Sequence, residues 1–325
     1  MRHFRSTATP ERNSDTAVGE RPDRAAALKP RGYIFIVGMP RTGTTLLRSL
    51  LNCSADVAIS LGESHFFGGP RFFGLLTRRG YRQRVAAIGD RATDEGAARI
   101  ADYVYAHPHL NPNFWGPLLN SLSRDEFLAR LLASDERERA LFELALSCGA
   151  RGRAIGGEKT PAHIYAVPTL LHWFPAGKII HTLRDPRAVY VSNRRKYERR
   201  GLPRPVGLVY ELYRSLETIY EWRRVTRLHR RYQQRYPDRY YLSKYEDLIA
   251  DPVSHLQRLC DFVGVAFTEE MLRQTFTNSS FLPRNQLQGF DTAALDRWRQ
   301  HLPPALNRWF TLWCRKSLLE FGYKL

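Results

Sequence analysis

The sequence has few cysteines, no long apolar run and a deficit of acidic side chains. Only four cysteines occur among 325 residues, at positions 53, 148, 260 and 314. Because they are far apart and match no metal-ligand spacing, we expect reduced, mostly buried thiols in a reducing cytoplasm, and no metal site. Residues 1–32 are polar and charged, which predicts a flexible tail without a signal peptide or membrane anchor. We likewise expect no membrane span elsewhere.

The shortage of acidic residues leaves the chain strongly basic. Fifty Lys and Arg face 32 Asp and Glu, so the formal net charge is +18. Such a charge suits an anionic partner, which includes a nucleotide, a sulfated or phosphorylated polymer, a nucleic acid or a membrane surface. No RNP motif, zinc finger or basic zipper accompanies the charge, so we expect no nucleic-acid partner.

Residues 33–51 (YIFIVGMPRTGTTLLRSLL) combine a strand pattern, a glycine-containing turn and an amphipathic helix. A helix that follows such a turn presents free backbone N–H groups and the positive end of its dipole, so it favours a phosphate-bearing ligand. The spacing resembles the nucleoside-triphosphatase loop GxxxxGK[ST], but that loop's lysine is missing. Thr44 occupies its position, and the positive charge lies earlier, at Arg41.

Strand and helix patterns alternate along the chain, which predicts a P-loop-like parallel β-sheet flanked by helices on both faces. Apolar residues at three- and four-residue spacing predict a helical insert, at about residues 70–150, after the second strand. Such an insert usually shapes an acceptor pocket. We therefore predict one domain over residues 33–325 behind the flexible tail.

Four separated segments carry the candidate site: GMPRTGTT at 38–45, GEKTP at 157–161, RDPRAVYVS at 184–192 and KYEDLIADP at 244–252. Together they resemble the sulfotransferases that use 3′-phosphoadenosine 5′-phosphosulfate (PAPS), over about residues 33–265. The likeness is closer to the branch with tyrosylprotein and many bacterial sulfotransferases than to the cytosolic branch. Eukaryotic members of that branch usually carry an N-terminal anchor. Because we expect no such anchor in this chain, we predict a soluble, cytoplasmic, bacterial version of the family.

The donor carries a 5′-phosphosulfate and a 3′-phosphate, so two anion sites are needed. The resemblance assigns the 5′-phosphosulfate to Arg41, Thr42, Gly43, Thr44 and Thr45, the 3′-phosphate to Arg184 and Ser192 with Lys196 as a third contact, and a further nucleotide contact to Tyr245. Read without the resemblance, the first loop could be a plain strand-to-helix turn, and Arg184 with Asp185 an ordinary ion-paired corner.

Sulfuryl transfer resembles phosphoryl transfer in its loose transition state, so positioning and charge stabilisation carry most of the catalysis. The resemblance implies that Lys159 and Arg41 neutralise the oxygen that bridges phosphate and sulfate. In the tyrosylprotein branch that this chain resembles, a carboxylate about twenty residues after the phosphate loop serves as the base for the acceptor, and Glu63 lies in that window. That branch has adjacent acidic residues where this chain has Glu63 and Ser64, so His65 stays an alternative base.

Some features depart from the family pattern or have a plainer structural explanation. The GxxGxxK closing loop of the cytosolic branch is missing, so Ser279, Ser280 and Arg284 are only candidates for closing the nucleotide site. Glu246 and Asp247 are expected to cap the following helix. The aromatic and leucine-rich stretch from residue 294 to the end is expected to pack in the core.

The motifs predict a sulfotransferase that moves a sulfuryl group from PAPS to a hydroxyl or phenol and releases adenosine 3′,5′-bisphosphate without a metal. The acceptor could be a carbohydrate, a peptidyl tyrosine, a lipid or a small molecule, and the positive charge favours an acidic one. The alternatives are a P-loop kinase or nucleotidase that uses ATP and Mg²⁺, and a non-catalytic binder of anionic polymers. The oligomeric state stays open.

Overall fold

The computed structural model describes residues 29–71, 76–78, 80–88, 90, 92–106, 110–199, 208–273 and 290–325. Nearly all of the predicted tail and the candidates Ser279, Ser280 and Arg284 lie outside these ranges. Lys196 falls within a described helix, but its side chain is outside the description. The strands are β1 (Gly32–Gly38), β2 (Val57–Ile59), β3 (Gly69–Arg71), β4 (Leu76–Arg78), β5 (Ile155–Lys159), β6 (Lys178–Leu183) and β7 (Tyr240–Lys244).

Five of these strands form one sheet in the order β2-β5-β1-β6-β7, and every pairing is parallel. The predicted parallel sheet is therefore confirmed. Register pairs Ile36 of β1 with Lys159 of β5, and Gly38 with Thr182 of β6. The carboxyl ends of these central strands consequently meet at one edge, where open α/β sheets bind their ligands.

Helices cover both faces of the sheet. They are α1 (Thr44–Leu51), α2 (Tyr81–Ala86), α3 (Asp94–Ala106), α4 (Pro112–Ser121), α5 (Arg124–Leu132), α6 (Arg137–Ala150), α7 (Val167–Trp173), α8 (Pro186–Arg199), α9 (Leu208–Arg235), α10 (Tyr245–Ala250), α11 (Pro252–Val263), α12 (Arg297–His301) and α13 (Pro304–Glu320). Strand β1 shows the two-sided burial directly, since Phe35 packs into one apolar core and Ile34 and Ile36 into the other.

The segment after β2 is mostly helical, as expected, but it also contains the two-stranded antiparallel sheet β3–β4. Helices α3, α4, α5 and α6 then pack around an aromatic cluster centred on Phe66, Trp115 and Phe142, all of which are buried. These three residues belong to the larger of the two cores.

The sequence analysis missed β5, whose residues Ile-Gly-Gly-Glu-Lys lack a strand signal. Gly157 explains its place next to β1, because an added Cβ would lie 2.1 Å from the carbonyl oxygen of Ile34. The glycine is therefore needed for the close approach of the two strands.

The C-terminal stretch corrects another expectation. Trp298, Phe310 and Leu318 are buried as predicted, but Leu312 and Trp313 are exposed. Only one side of α13 contributes to the core. Separately, within the described ranges no helix is both long and apolar enough to cross a bilayer.

Candidate functional site

The phosphate loop, residues 38–45, joins β1 to α1 and owes its shape to two glycines. Gly38 (φ +143°) and Gly43 (φ +91°) adopt conformations that side chains disfavour. The Thr42 hydroxyl donates to the carbonyl of Met39 at 2.7 Å and contacts the Thr182 hydroxyl at 2.6 Å. Since that hydroxyl is used internally, Thr42 is left with its backbone N–H for a ligand.

Arg41 occupies the left-handed region at φ +74°, a conformation that is uncommon for a residue with a side chain. Its Nε donates to the Ser192 Oγ at 3.0 Å, so the first and third motifs are in direct contact. Thr44 and Thr45 form the first turn of α1 directly after Gly43. The loop thus combines a guanidinium with the unpaired N–H groups of a helix N-terminus.

Arg184 follows β6 and lies beside the phosphate loop. Its terminal nitrogens donate to the carbonyls of Arg41 and Ala294, each at 3.3 Å, and its guanidinium lies 4.0 Å from the ring centroid of Tyr245. Its Nε is buried and meets no hydrogen-bond acceptor among the described residues. A buried, unsatisfied donor of this kind is expected where an anionic ligand completes the site.

Asp185 does not form the ion-paired corner with Arg184 that the sequence left as an alternative, because Arg187 holds its carboxylate through Nε and Nη2, the latter at 2.7 Å. The Asp185 N–H in turn donates to Glu246 at 3.0 Å. Arg184 therefore keeps its guanidinium for another anion.

Glu246 lies with Asp247 in the first turn of α10, where the sequence predicted a helix cap. Its carboxylate accepts from the Asp185 N–H and, at 3.0 Å, from the Tyr323 hydroxyl. Burial raises the pKa of Glu246. The carboxylate ties the turn after β6, which carries Arg184, to the C-terminal residues.

Tyr245 is the first residue of α10, and its ring packs between Gly43 and Arg184. A Cβ on Gly43 would lie 2.6 Å from this ring, so the glycine is required for the packing as well as for its positive φ. The contact with Arg184 gives Tyr245 a part in orienting the guanidinium. A contact with the nucleotide itself stays a prediction.

The Glu63 loop, residues 62–67, follows β2 and lies beside the end of β5. Lys159, whose side chain is almost completely buried, donates to Glu63 Oε1, while His65 Nε2 lies 3.4 Å from Glu63 Oε2. Both candidate bases therefore lie in one cluster with the candidate catalytic lysine. About a third of each side chain, Glu63 and His65, is exposed, so an acceptor hydroxyl has access to them.

The Glu63 loop is held by residues that the sequence analysis missed. Asn111, before α4, donates to the Glu63 carbonyl at 3.0 Å. Glu158 accepts the Ser64 N–H at 3.4 Å, and His163 Nε2 accepts the Phe67 N–H at 3.2 Å.

Glu158 and His163 also contact each other and are completely buried. Because His163 Nε2 is an acceptor, its proton is on Nδ1 and faces Glu158. Burial alone would raise the pKa of Glu158, but His163 and hydrogen bonds from Ser64 and Thr160 lower it. The only sequence signal for this pair is its position on either side of Lys159, in GEKTPAH.

The structure brings three of the four motifs and Glu63 to the carboxyl edge of the sheet, and Tyr245 of the fourth motif packs there too. Cationic groups from β5 and from the loops after β1 and β6 line the edge, with one carboxylate beside them. Such an arrangement can hold a doubly anionic ligand and accept a proton next to it. Among the described residues, no group of three or more His, Cys, Asp or Glu is placed to hold a metal ion.

Known proteins resemble this chain in sequence. Residues 33–269 match the model of a sulfotransferase family. The chain is 29% identical over 287 residues to the omega-hydroxy-beta-dihydromenaquinone-9 sulfotransferase Stf3 of Mycobacterium tuberculosis, covering 78% of this chain and 69% of that protein. It is also 30% identical over 170 residues to carbohydrate sulfotransferase 5 of Mus musculus, covering 45% of this chain and 42% of that protein.

A solved structure supports the fold. The sulfotransferase domain of the Synechococcus PCC 7002 olefin synthase superposes with a TM-score of 0.53 at 21% identity, covering 91% of this chain and 96% of that domain. Because the family match spans most of the chain, the prediction made from the four motifs is confirmed: this chain belongs to the sulfotransferase family.

Proposed function

We propose that the carboxyl edge of the sheet binds PAPS and transfers its sulfuryl group to a hydroxyl acceptor. The observation that carries the proposal is the ion pair of Glu63 with Lys159 beside the phosphate loop. It brings together a proton acceptor, a cation for the leaving group and an anion-binding helix N-terminus.

The residues of the two anion sites suit the two charged ends of the donor. The N–H groups at Gly43, Thr44 and Thr45 and the guanidinium of Arg41 would hold the 5′-phosphosulfate. Arg184, with its unsatisfied Nε, and Ser192 would hold the 3′-phosphate. The contact between Arg41 and Ser192 makes the two sites neighbours, as one ribose requires. Lys196 remains a predicted third contact.

Bound PAPS supplies an activated sulfuryl group whose bond to the bridging phosphate oxygen is the one that breaks. Glu63 would take the proton from the acceptor hydroxyl, so that the acceptor oxygen can accept the sulfuryl group. Lys159 and Arg41 neutralise the charge that develops on the bridging oxygen. The ion pair of Lys159 with Glu63 holds the carboxylate beside the phosphate loop. His65 is the second candidate for this role, since it contacts the same carboxylate.

The acceptor is proposed as an alcohol or phenol that enters from the side of the Glu63 loop. The names of the curated relatives specify a menaquinone derivative in one case and a carbohydrate in the other. Both classes present hydroxyl groups. An acidic acceptor suits the charge of +18, and a reducing cytoplasm suits the four free cysteines.

The first experiment is calorimetric titration with adenosine 3′,5′-bisphosphate in metal-free buffer, with adenosine 5′-phosphate as the matched control. Micromolar or tighter binding that depends on the 3′-phosphate is the expected result. Binding seen only with ATP and Mg²⁺ would instead favour a P-loop kinase, whose lysine this loop lacks. Salt-sensitive binding of a polyanion without nucleotide affinity would favour the polymer binder.

A further inference from the structure

Helix α13 has one side in the core and one side in solvent. Phe310, Cys314 and Leu318 are buried, whereas Leu312, Trp313 and Leu319 are 72%, 45% and 54% exposed. Leu312 is the most exposed large apolar side chain among the described residues. Three such residues on one helix form an apolar patch that folding has left in water.

The helix cannot turn this patch inward. Arg230 of α9 donates to the Ser317 hydroxyl at 3.1 Å and holds both carboxylate oxygens of Glu320. Together with the three buried side chains, these bonds fix the rotation of α13 about its axis. The patch is therefore a permanent feature of the surface.

Basic side chains lie among the exposed apolar ones. We define the outer face of α13 as the exposed residues Arg308, Leu312, Trp313, Arg315, Lys316 and Leu319. At 100° per residue they fall within an arc of about 160°. Glu320 is the only acidic residue of the helix sequence, and Arg230 neutralises it. The outer face therefore combines exposed apolar side chains with a net positive charge, since the one acidic residue within its arc, Glu320, is ion-paired with Arg230.

We propose that the outer face of α13 docks the protein on the surface of an anionic lipid bilayer. Leucine side chains enter the boundary between headgroups and acyl chains, and the Trp313 indole lies at the headgroup level, where tryptophan is favoured. Arg308, Arg315 and Lys316 extend to the lipid phosphates with their stems along the apolar surface. The net charge of +18 adds long-range attraction.

Two other occupants fit the same face less well. A symmetric contact with a second copy would place the basic residues of one α13 against those of the other, and like charges repel there. A nucleic acid would satisfy the arginines, but it offers no apolar environment to Leu312 and Leu319.

The test is sedimentation of the full chain with phosphatidylcholine vesicles that contain either no or about 30% phosphatidylglycerol. We expect binding only to the anionic vesicles, and a loss of at least tenfold in affinity for the double variant Leu312→Ser/Leu319→Ser. Reversing two charges in Arg315→Glu/Lys316→Glu should lower affinity by about thirtyfold or more. Leu132→Ser, at an exposed leucine of α5, is the matched control and should bind like the wild type.

Three outcomes would overturn the proposal. Unchanged binding of the leucine double variant would mean that net charge alone drives adsorption. A wild-type dimer in light scattering that the same variant converts to a monomer would assign the face to a second copy. If the variants lost affinity for a heparin column as strongly as for the anionic vesicles, the outer face would be assigned to a polyanion. Melting temperature and adenosine 3′,5′-bisphosphate affinity, measured on every variant, separate these outcomes from misfolding and from failure of the proposed activity.

Discussion

The phosphate loop and the Glu63 loop lie at the same edge of the sheet but are built in different ways. Backbone conformation shapes the phosphate loop, through two glycines at positive φ and a helix that begins directly after it. Distant side chains hold the Glu63 loop, since Asn111, Glu158 and His163 bind its backbone from 48, 94 and 96 residues away.

The difference indicates which part of the site is rigid by itself and which depends on the rest of the fold. A loop that is shaped by its own glycines keeps its geometry wherever the strand and helix form. A loop that is held by buried polar partners keeps its geometry only while all of them are satisfied. Nucleotide binding and proton transfer should therefore respond separately to substitution.

Glu63→Gln should show the separation most strongly. The amide keeps the shape of the side chain but removes the proton acceptor, so turnover should fall by roughly 10²–10⁴-fold. The affinity for adenosine 3′,5′-bisphosphate should change less than about threefold, because the phosphate loop does not depend on Glu63. Steady-state kinetics with PAPS and calorimetry with the bisphosphate measure the two quantities.

His65→Gln is the matched control for this experiment. If the imidazole were the base, His65→Gln would carry the large loss, and Glu63→Gln would be close to the wild type. Parallel losses in turnover and nucleotide affinity for Glu63→Gln would show that the two loops are not independent.

Arg184→Ala tests the nucleotide side of the comparison. Removing a charged hydrogen-bond donor should weaken adenosine 3′,5′-bisphosphate binding by about 10–100-fold. Adenosine 5′-phosphate, which lacks the 3′-phosphate, should lose less than about threefold. Calorimetric titration of both nucleotides gives the ratio directly, and an equal loss for the two would refute the assignment of Arg184 to the 3′-phosphate.

Glu158→Gln should give a smaller effect on the Glu63 loop. The weaker hold on the Ser64 N–H and the altered contact with His163 should lower kcat by about tenfold while nucleotide affinity stays unchanged. If Glu158 acts by positioning Glu63, its substitution matters only while Glu63 is present. In the Glu63→Gln background the same substitution should cost almost nothing, since no base is left to position.

Loss of stability alone would behave differently. If Glu158→Gln lowered only the folded fraction, it would reduce activity by the same factor in both backgrounds. Thr160→Val, which removes one hydrogen bond to the Glu158 carboxylate, is a milder companion variant at the same site.

The same contrast explains what could be predicted from the sequence. Arg41, Gly43 and Thr44 stand within one short segment whose spacing reports its own backbone geometry. Arg184 and Ser192 are likewise eight residues apart on a single turn and helix. Motifs of this local kind carry their structure with them, so the parallel sheet and the positions of these residues at its edge could be predicted.

The supports of the Glu63 loop have no such local signal. Asn111 belongs to the insert, and only folding brings it to Glu63. Strand β5 could not be recognised because Gly156 and Gly157 lower strand propensity, while the small size of Gly157 is what lets β1 approach. Burial of Glu246 against the C-terminal residues was equally unpredictable, since its local position favours a helix cap.

Acidification should weaken the phosphate-loop side of the fold before the Glu63 side. The His181 ring lies next to Gly38 and close to His229. Its Nδ1 is 2.7 Å from the Tyr240 hydroxyl. Burial lowers the pKa of His181 well below its usual value and that of His229 to about 4. The unfolded chain therefore binds these protons more readily. The free energy of unfolding should therefore decrease as the pH falls below 6.5, and at pH 5.5 the loss should be roughly 1 kcal/mol for each histidine.

The pKa of Glu158 is also lowered, but it starts from a carboxyl value near 4.5, so its contribution persists until pH falls below that value. Urea unfolding between pH 7 and 5 measures the histidine contribution, and His229→Gln should flatten the slope by up to one proton. Because the net charge also rises on acidification, the difference between His229→Gln and the wild type is the decisive quantity. If the free energy of unfolding had the same pH slope in both proteins, His229 would take up its proton in the folded state. The phosphate-loop side and the Glu63 side would then not differ in their response to pH.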